Sequence, residues 1–342
     1  MHILVTGICG FAGSVIARTL IEHCEGISLA GLDNLSRRGS ETNVEPLRKL
    51  GADVRIGDVR DRAFLETLPH ADWILDCAAN PSVLAGVDGS GSRDLVDQNL
   101  YGTVNLLELC KMWSAGFTLL STSRVYSIPP LASLPLMESP TRFDLQQSAP
   151  MTGYSASGIA ESFSTAPPVS LYGSTKVCSE MLALEYGGAF GFPVWINRCG
   201  VLAGPGQFGK ADQGIFSYWI HSWKSGRPLR YIGFNASGKQ VRDCLHPRDI
   251  VPVLLKQMRQ PLAADPATRE RPGSPKAQDS QNQHTSPPLP APVPLVEKES
   301  PRVFNLSGGT ANSMSLLELS AWCRDRFGPS HSEFHISNST SS

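Results

Sequence analysis

Two rhythms of hydrophobic and polar positions take turns along this chain. Short apolar runs of strand type, each closed by small or polar residues, occur at 3–5, 27–32, 54–58, 73–79, 117–122 and 194–197. Between them, apolar residues recur three and four apart, which predicts helices over 14–20, 95–113 and 171–187. The helix over 95–113 is read from Leu100, Val104, Leu107 and Leu109. Strands that alternate with helices predict an α/β fold with a parallel sheet, because a parallel neighbour is reached only through a crossover.

The alternation fails over 261–300, which holds nine of the 26 prolines, several Ser and Gln, and no Phe, Tyr or Trp. Such a stretch buries too little apolar surface to offset its ordering entropy and is read as a disordered insert. Regular structure is expected to resume with a strand at 303–306 and a helix beginning near Ser315, and 329–342 reads as an unstructured tail. The expected organisation is a first domain over 1–200 and a smaller substrate-binding part over 201–260 and 301–328, interleaved with the sheet. No internal repeat is visible.

The first strand runs straight into Gly7, Gly10 and Gly13, and these run straight into a helical stretch. Strand, glycine turn and helix in that order make a glycine-rich motif mean dinucleotide binding. Gly7 permits the tight turn, Gly10 lets backbone approach a pyrophosphate, and Gly13 lets helix and strand pack closely. The diphosphate would sit at the helix N-terminus, where unpaired N–H groups and the helix dipole favour anions. The fold expected is therefore a Rossmann-type doubly wound parallel sheet with a smaller C-terminal domain. Asp33 ends the second strand twenty residues after Gly13. A carboxylate there accepts from both adenosine ribose hydroxyls, which selects NAD over a 2′-phosphorylated cofactor. Arg37 and Arg38 follow closely and are read as solvated or beside the adenine, since Asp33 would repel a phosphate.

Composition changes this picture mainly by exclusion. A formal net charge of −1 gives no electrostatic reason to expect nucleic acid or an anionic membrane. No basic segment followed by an apolar one precedes residue 30, and no apolar run approaches a membrane span, so a cytoplasmic protein is expected. The eight cysteines are scattered and the eight histidines lack partners at ligand spacing, so no metal site is expected. A homo-oligomer is the expected assembly.

Tyr172 and Lys176 stand four apart on the third helix, a spacing that puts both side chains on one face. A phenol is a weak base at neutral pH, and a neighbouring ammonium together with a cationic nicotinamide ring would favour its phenolate. Lys176 could also hold the nicotinamide ribose. A third group is expected at the carboxyl edge of the fifth strand, where Ser121, Thr122 and Ser123 supply hydroxyls.

These residues together resemble the extended short-chain dehydrogenase/reductase family of nucleotide-sugar enzymes (NAD-dependent epimerases and dehydratases), over residues 1 to about 256 and again over 303–328. A narrower resemblance, to sugar 2-epimerases within that family, rests on several segments. They are Asp33-Asn-Leu-Ser-Arg-Arg-Gly39, Asn99-Leu-Tyr-Gly-Thr-Val-Asn-Leu-Leu-Glu108 and Thr122-Ser-Arg-Val-Tyr126. Further along come Gln207-Phe208, Asp212-Gln-Gly214, Gly238-Lys-Gln-Val-Arg-Asp-Cys-Leu-His246 and Asn312-Ser-Met-Ser-Leu-Leu-Glu-Leu319.

The resemblance implies that Tyr172, Lys176 and Thr122 are catalytic. It places Gly7, Phe11, Asp33, Asn34, Asp58, Val59, Ala78, Ala79 and Asn99 around the cofactor. Thr122, Gln207, Gln213 and Arg242 would meet a nucleotide-sugar, with the forked Arg242 guanidinium on its diphosphate. The implied activity is epimerisation by transient oxidation at a sugar carbon, C2 in the nearer subgroup. A 4-epimerase, a net dehydrogenase and a catalytically silent NAD-binding protein are the alternatives. Nucleotide-sugar 4,6-dehydratases typically carry an Asp-Glu pair after the threonine; here Ser123 and Arg124 stand there, which disfavours loss of water. The Pro-rich stretch is not a feature of the family, and 155–169 is longer than it implies and is read as a lid over the sugar.

Overall fold

The computed structural model describes residues 1–87, 89, 91–146, 151–155, 157–209, 213–260 and 301–329. The expected insert at 261–300 and all but the first residue of the expected tail lie outside them. β1 (His2–Thr6) runs into α1 (Phe11–His23), β2 (Ser28–Asp33) precedes α2 (Val44–Lys49), and β3 (Asp53–Ile56) precedes the single turn α3 (Arg62–Leu65). β4 (Trp73–Asp76) leads to α4 (Ser92–Val96), which passes through a π turn at Asp97–Tyr101 into α5 (Gly102–Trp113) and then β5 (Gly116–Thr122). Next come α6 (Ile128–Ala132), the antiparallel pairs β6 (Leu136–Glu138) with β7 (Phe143–Leu145) and β8 (Tyr154–Ser155) with β9 (Gly158–Ile159), and the long α7 (Leu171–Phe190). β10 (Val194–Cys199), α8 (Ile215–Lys224), β11 (Val241–Asp243), α9 (Val251–Arg259), β12 (Val303–Leu306), β13 (Ser313–Ser315) and α10 (Leu316–Phe327) follow.

Seven strands form one sheet in the order β12-β10-β5-β4-β1-β2-β3, and every pairing is parallel. From β1 the chain first winds outward through β2 and β3 and then returns to the other side through β4. The carboxyl ends of β1 and β4 therefore face a crevice where the winding reverses, the place where open α/β sheets bind ligands. Alternate residues of β1 serve opposite faces. Ile3 and Val5 pack with Ile16 and Leu20 of α1 and Leu254 of α9, while Leu4 packs with Leu106 and Leu107 of α5 and Ala183 of α7. Burying each such side chain contributes about 1.5–3 kcal/mol, so both faces need their helices. A separate apolar cluster joins Trp219 and Trp223 of α8, Leu229, and Leu319 and Cys323 of α10. The second part of the chain is thus divided: α9 and β12 complete the sheet layers, and α8 and α10 stand beyond its carboxyl edge.

Several element boundaries differ from the expected ones for identifiable reasons. β4 ends at Asp76 rather than at 79, because Thr6 Oγ1 accepts from the N–H groups of Cys77 (3.2 Å) and Ala78 (3.1 Å) and draws them out of the ladder. β3 ends at Ile56, and Asp58 Oδ1 accepts from the Arg60 N–H at 2.9 Å, a local turn that competes with the strand. The single helix expected over 95–113 is divided by the π turn, at which Asn99 is fully buried. The last helix starts where expected, with Ser315 and Glu318 forming a reciprocal capping box.

Candidate active site

A cavity of about 830 Å³ opens along the carboxyl edge of the sheet, with α8 and β11 on its far side. Its first wall is the glycine turn. Gly7 holds φ +61°, and a Cβ there would lie 3.0 Å from the Ala78 backbone. A Cβ on Gly13 would lie 2.2 Å from the Gly7 carbonyl oxygen, so only glycine lets α1 settle against the turn. Gly10 donates its N–H to Gly7 O (3.0 Å), and no side chain caps α1, whose N-terminus lines the cavity through Phe11, Ala12 and Gly13. A glycine cradle with uncapped helical N–H groups fits a dinucleotide diphosphate.

Asp33 lies at the end of β2 on the same wall, and its carboxylate accepts from the N–H groups of Cys9 (3.0 Å) and Leu35 (2.8 Å). Burial pushes this carboxyl above its ordinary pKa, and those N–H groups partly offset the rise. Asn34, Val59, Ala78 and Ala79 line the cavity beside it. Asp58 and Asn99 do not. Asp58 is held by Arg60 and, at 2.8 Å, by Asn34 Nδ2, and the Arg60 contact leads in lowering its pKa to about 2. It props the wall from behind. Asn99 spends its amide on the loop after β4 and on α7, accepting from Asn80 N–H (2.7 Å) and donating to Asn80 O (3.0 Å) and Thr175 Oγ1 (3.3 Å). Its neighbour Gln98 lines the cavity instead.

The structure brings Tyr172, Lys176 and Thr122 together. Ser170 caps α7 by accepting from Gly173 N–H at 3.1 Å, which starts the helix one residue before Tyr172. Tyr172 is buried and hydrogen-bonded to Thr122, at the end of β5. Burial pushes its phenol up to about 12, and the Thr122 bond and the charge of Arg124 oppose that rise. Lys176 is 2% exposed and its Nζ donates to Leu120 O at 3.3 Å. Lys176 is thus anchored at the carboxyl edge of β5, one helical turn along α7 from Tyr172. Behind this trio, Glu180 accepts from Ser121 Oγ and forms a buried ion pair with Arg198 of β10 at 2.7 Å.

Across the cavity, Arg242 is placed by the pairing of β11 with β13, where it stands opposite Met314. Its Nη1 donates to Val241 O at 2.8 Å. Burial, and then the charge of Arg124, weaken its hold on its proton, and Asp243 partly offsets them. Gln207 and Gln213 reach the same cavity with their amides already engaged. Gln207 donates to Leu202 O (2.7 Å) and accepts from Ser217 Oγ (2.8 Å); Gln213 accepts from Arg37 Nη1 (2.7 Å). Arg37 also donates to Phe208 O. The expectation that Arg37 is solvated or beside the adenine gives way to a bridge between two sides of the cavity.

Residues 155–169, read as a lid, contribute nothing to the cavity wall among the described residues. Asn305 of β12 ties them down by donating to Ile159 O (2.8 Å) and to Glu161 Oε1 (2.6 Å), and Phe163 packs against Tyr126. Arg124 and Arg230 line the cavity without having been assigned a role from sequence. Arg124 was in view two residues after Thr122; Arg230 has no local signature.

Residues 3–268 match the NAD dependent epimerase/dehydratase family, and the chain belongs to that family. It is an NAD-dependent enzyme. CDP-paratose 2-epimerase of Salmonella typhi is 27% identical over 330 residues, covering 93% of this chain and 82% of that protein. A trifunctional UDP-glucose 4,6-dehydratase/UDP-4-keto-6-deoxy-D-glucose 3,5-epimerase/UDP-4-keto-L-rhamnose-reductase of Arabidopsis thaliana is 27% identical over 259 residues, 73% of this chain and 34% of that longer one. The UDP-glucuronic acid 4-epimerase of Bacillus cereus, solved in complex with NAD, shares the fold with a TM-score of 0.65 at 22% identity, covering 98% of this chain and 86% of its own. No helix among the described residues is long and apolar enough to cross a membrane.

Proposed function

We propose that this chain is a redox-neutral nucleotide-sugar epimerase that acts at C2 of the sugar, in the manner of a CDP-paratose 2-epimerase. One observation carries the reading. Apart from Asp33, at the β2 end, no Asp or Glu among the described residues lines the cavity, while a tyrosine, a lysine and a threonine converge at its centre. Elimination of water needs an acid and a base disposed about the sugar, and the wall around Tyr172 provides no carboxylate for that work. Transient oxidation needs one proton acceptor, and Tyr172 with Thr122 supplies it. The 27% identity to the Salmonella typhi enzyme supports C2 as the carbon.

In this reading NAD, held along Gly7, Gly10, Gly13 and Asp33, supplies the hydride acceptor. Tyr172 takes the proton of the sugar hydroxyl and later gives it back, and Thr122 orients that hydroxyl through its bond to the phenol. Lys176 holds the ribose next to them. Arg242 grips the diphosphate through its planar fork, so the sugar can turn about a fixed anchor while the cavity shields it from water. The first part of the chain, over 1–200, serves the dinucleotide, and the residues of 201–260 and 301–328 serve the nucleotide-sugar.

The test uses CDP-paratose deuterated at C2 of the sugar, incubated with the NAD-loaded protein in ordinary water. Epimerised product that keeps its deuterium at C2, with no net accumulation of reduced cofactor, is the expected result by NMR and mass spectrometry. Hydrogen from solvent at C2 would replace the mechanism with deprotonation and reprotonation. Turnover of a substrate labelled at C4, with inversion there, would move the chemistry to a 4-epimerase.

A further inference from the structure

We propose that Asp76 is a positioning residue for NAD: it fixes the Thr6 hydroxyl as a double acceptor and so presets the loop after β4 on the cofactor's side of the cavity. Thr6 and Asp76 are register partners in the β1–β4 pairing, and both are buried. Thr6 Oγ1 donates to Asp76 Oδ1 at 2.7 Å and accepts from the N–H groups of Cys77 and Ala78. A hydroxyl has one proton and two lone pairs. It takes both N–H groups only while its proton points elsewhere, and Asp76 is where it points. Thr103 of α5 closes the other side, its Oγ1 lying 2.9 Å from Asp76 Oδ2 and 3.0 Å from Asn99 O. Asn99 in turn grips both main-chain groups of Asn80. Residues 77–80, which lie outside any strand, are thus held at each end by one connected set of buried polar groups.

Packing alone does not call for a carboxyl at this position. Ile74, two residues earlier on the same face, fills the core with no polar side-chain atom. Among the described residues Asp76 enters no ion pair, and burying a carboxyl without a cation is costly unless hydrogen bonds compensate. What the threonine bonds secure lies on the cavity side. Cys77, Ala78 and Ala79 line the cavity together with Gly7, and a Cβ on Gly7 would stand 3.0 Å from Ala78 N and from Cys77 O. Loop and glycine turn are therefore seated on each other, so a shift of one displaces the other. By sheet order the end of β4 lies between the end of β1, with its glycine turn, and the end of β5, with Thr122. A dinucleotide reaching from the turn to the reacting centre has to cross this loop. Presetting the loop spares NAD the cost of ordering it on binding.

Calorimetric titration of the NAD-free, full-length protein with NAD tests this without any sugar. Asp76→Leu keeps the branched shape and removes the acceptor, and Thr6→Val removes the hydroxyl. Each should raise Kd for NAD by about tenfold or more, and the double variant should cost no more than the worse single one, because both act through one hydroxyl. Asp76→Asn should return Kd to within about threefold of wild type. Its carbonyl still accepts from Thr6, and its amide donates to Thr103, whose own proton then goes to Asn99 O. Stoichiometry counts the folded molecules, so a variant that is merely less stable binds fewer equivalents at an unchanged Kd. An unchanged Kd in Asp76→Leu, with or without a fall in stoichiometry, would overturn the proposal. So would additive losses in the double variant, or an Asp76→Asn as weak as Asp76→Leu, which would assign Asp76 to its charge instead of the proton it accepts. Should Asp76→Leu not fold, Asp76→Ser, too short to reach Thr6, repeats the contrast. Failure of the C2 label experiment leaves these titrations interpretable.

Discussion

In the proposed reaction Tyr172 acts through a single oxygen. Replacing it with Phe keeps the ring that packs on Ala85 and Leu95, so NAD binding should survive while epimerisation falls by about 10²-fold or more, as measured by calorimetry and product assay. The same buried phenol affects stability. With its folded pKa near 12 against an ordinary 10, the contribution is intact below pH 10 and is lost as pH climbs through 12, because the unfolded chain ionises first. The alkaline fall in melting temperature should therefore be shallower in Tyr172→Phe. Asp58 has the opposite sign. Arg60 and Asn34 hold its carboxyl down near 2 from an ordinary 3.8, so its contribution is present above about pH 4 and fades as pH falls toward 2. Asp58→Asn should be less stable than wild type near neutrality and converge with it in acid, by melting curves; parallel curves would remove Asp58 from the account. The Tyr172–Lys176 pair was legible because four residues along a helix is a local distance. Arg124 and Arg242 meet only after β5, β11 and β13 are assembled, and no sequence spacing encodes that.

At the scale of elements, α7, which bears Tyr172 and Lys176, is tied to the sheet by a buried ion pair. Glu180 on α7 accepts from Ser121 of β5 and pairs with Arg198 of β10, with side chains 4% and 10% exposed. Arg198 also donates to the Tyr126 hydroxyl at 3.3 Å, and Tyr126 donates to Asn305 of β12 at 2.6 Å. Helix, three strands and the turn after β5 are thus joined by one polar chain under the site. Arg198→Met should cost about 3–5 kcal/mol, because it leaves a buried carboxylate unpaired. Adding Glu180→Gln to that variant should recover part of the loss in chemical denaturation, and additive losses would show that the two residues do not act as a pair. The strands themselves were readable from apolar runs buried on both faces. Their ends were not, since Thr6 captures two N–H groups beyond β4 from seventy residues away. The division of 95–113 into two helices was likewise hidden, because a π turn preserves nearly the same apolar spacing.

Over the whole molecule, the sheet order makes a crevice and the second part of the chain supplies its opposite wall. The glycine turn and Asp33 were legible because they belong to one local supersecondary unit. The division of labour beyond residue 200 was harder to read, since α9 returns to the sheet while α8 and α10 build a core of their own. What holds the two walls in register includes Arg37, which reaches from the loop after β2 to Gln213 and Phe208. Under the proposed epimerase cycle, that bridge would set a residence time. A cycle that ends with no net oxidation stays closed only while its dinucleotide outlasts each turnover, and escape between the two half-reactions would strand a ketone. Arg37→Ala, which removes charge-assisted bonds, should shorten the lifetime of bound NAD by about tenfold or more. Its activity should then decay on dilution and recover with added NAD, whereas the wild type should keep working on the molecule it already holds; equal dissociation rates, measured with a trapping excess of competitor, would strike Arg37 from that role.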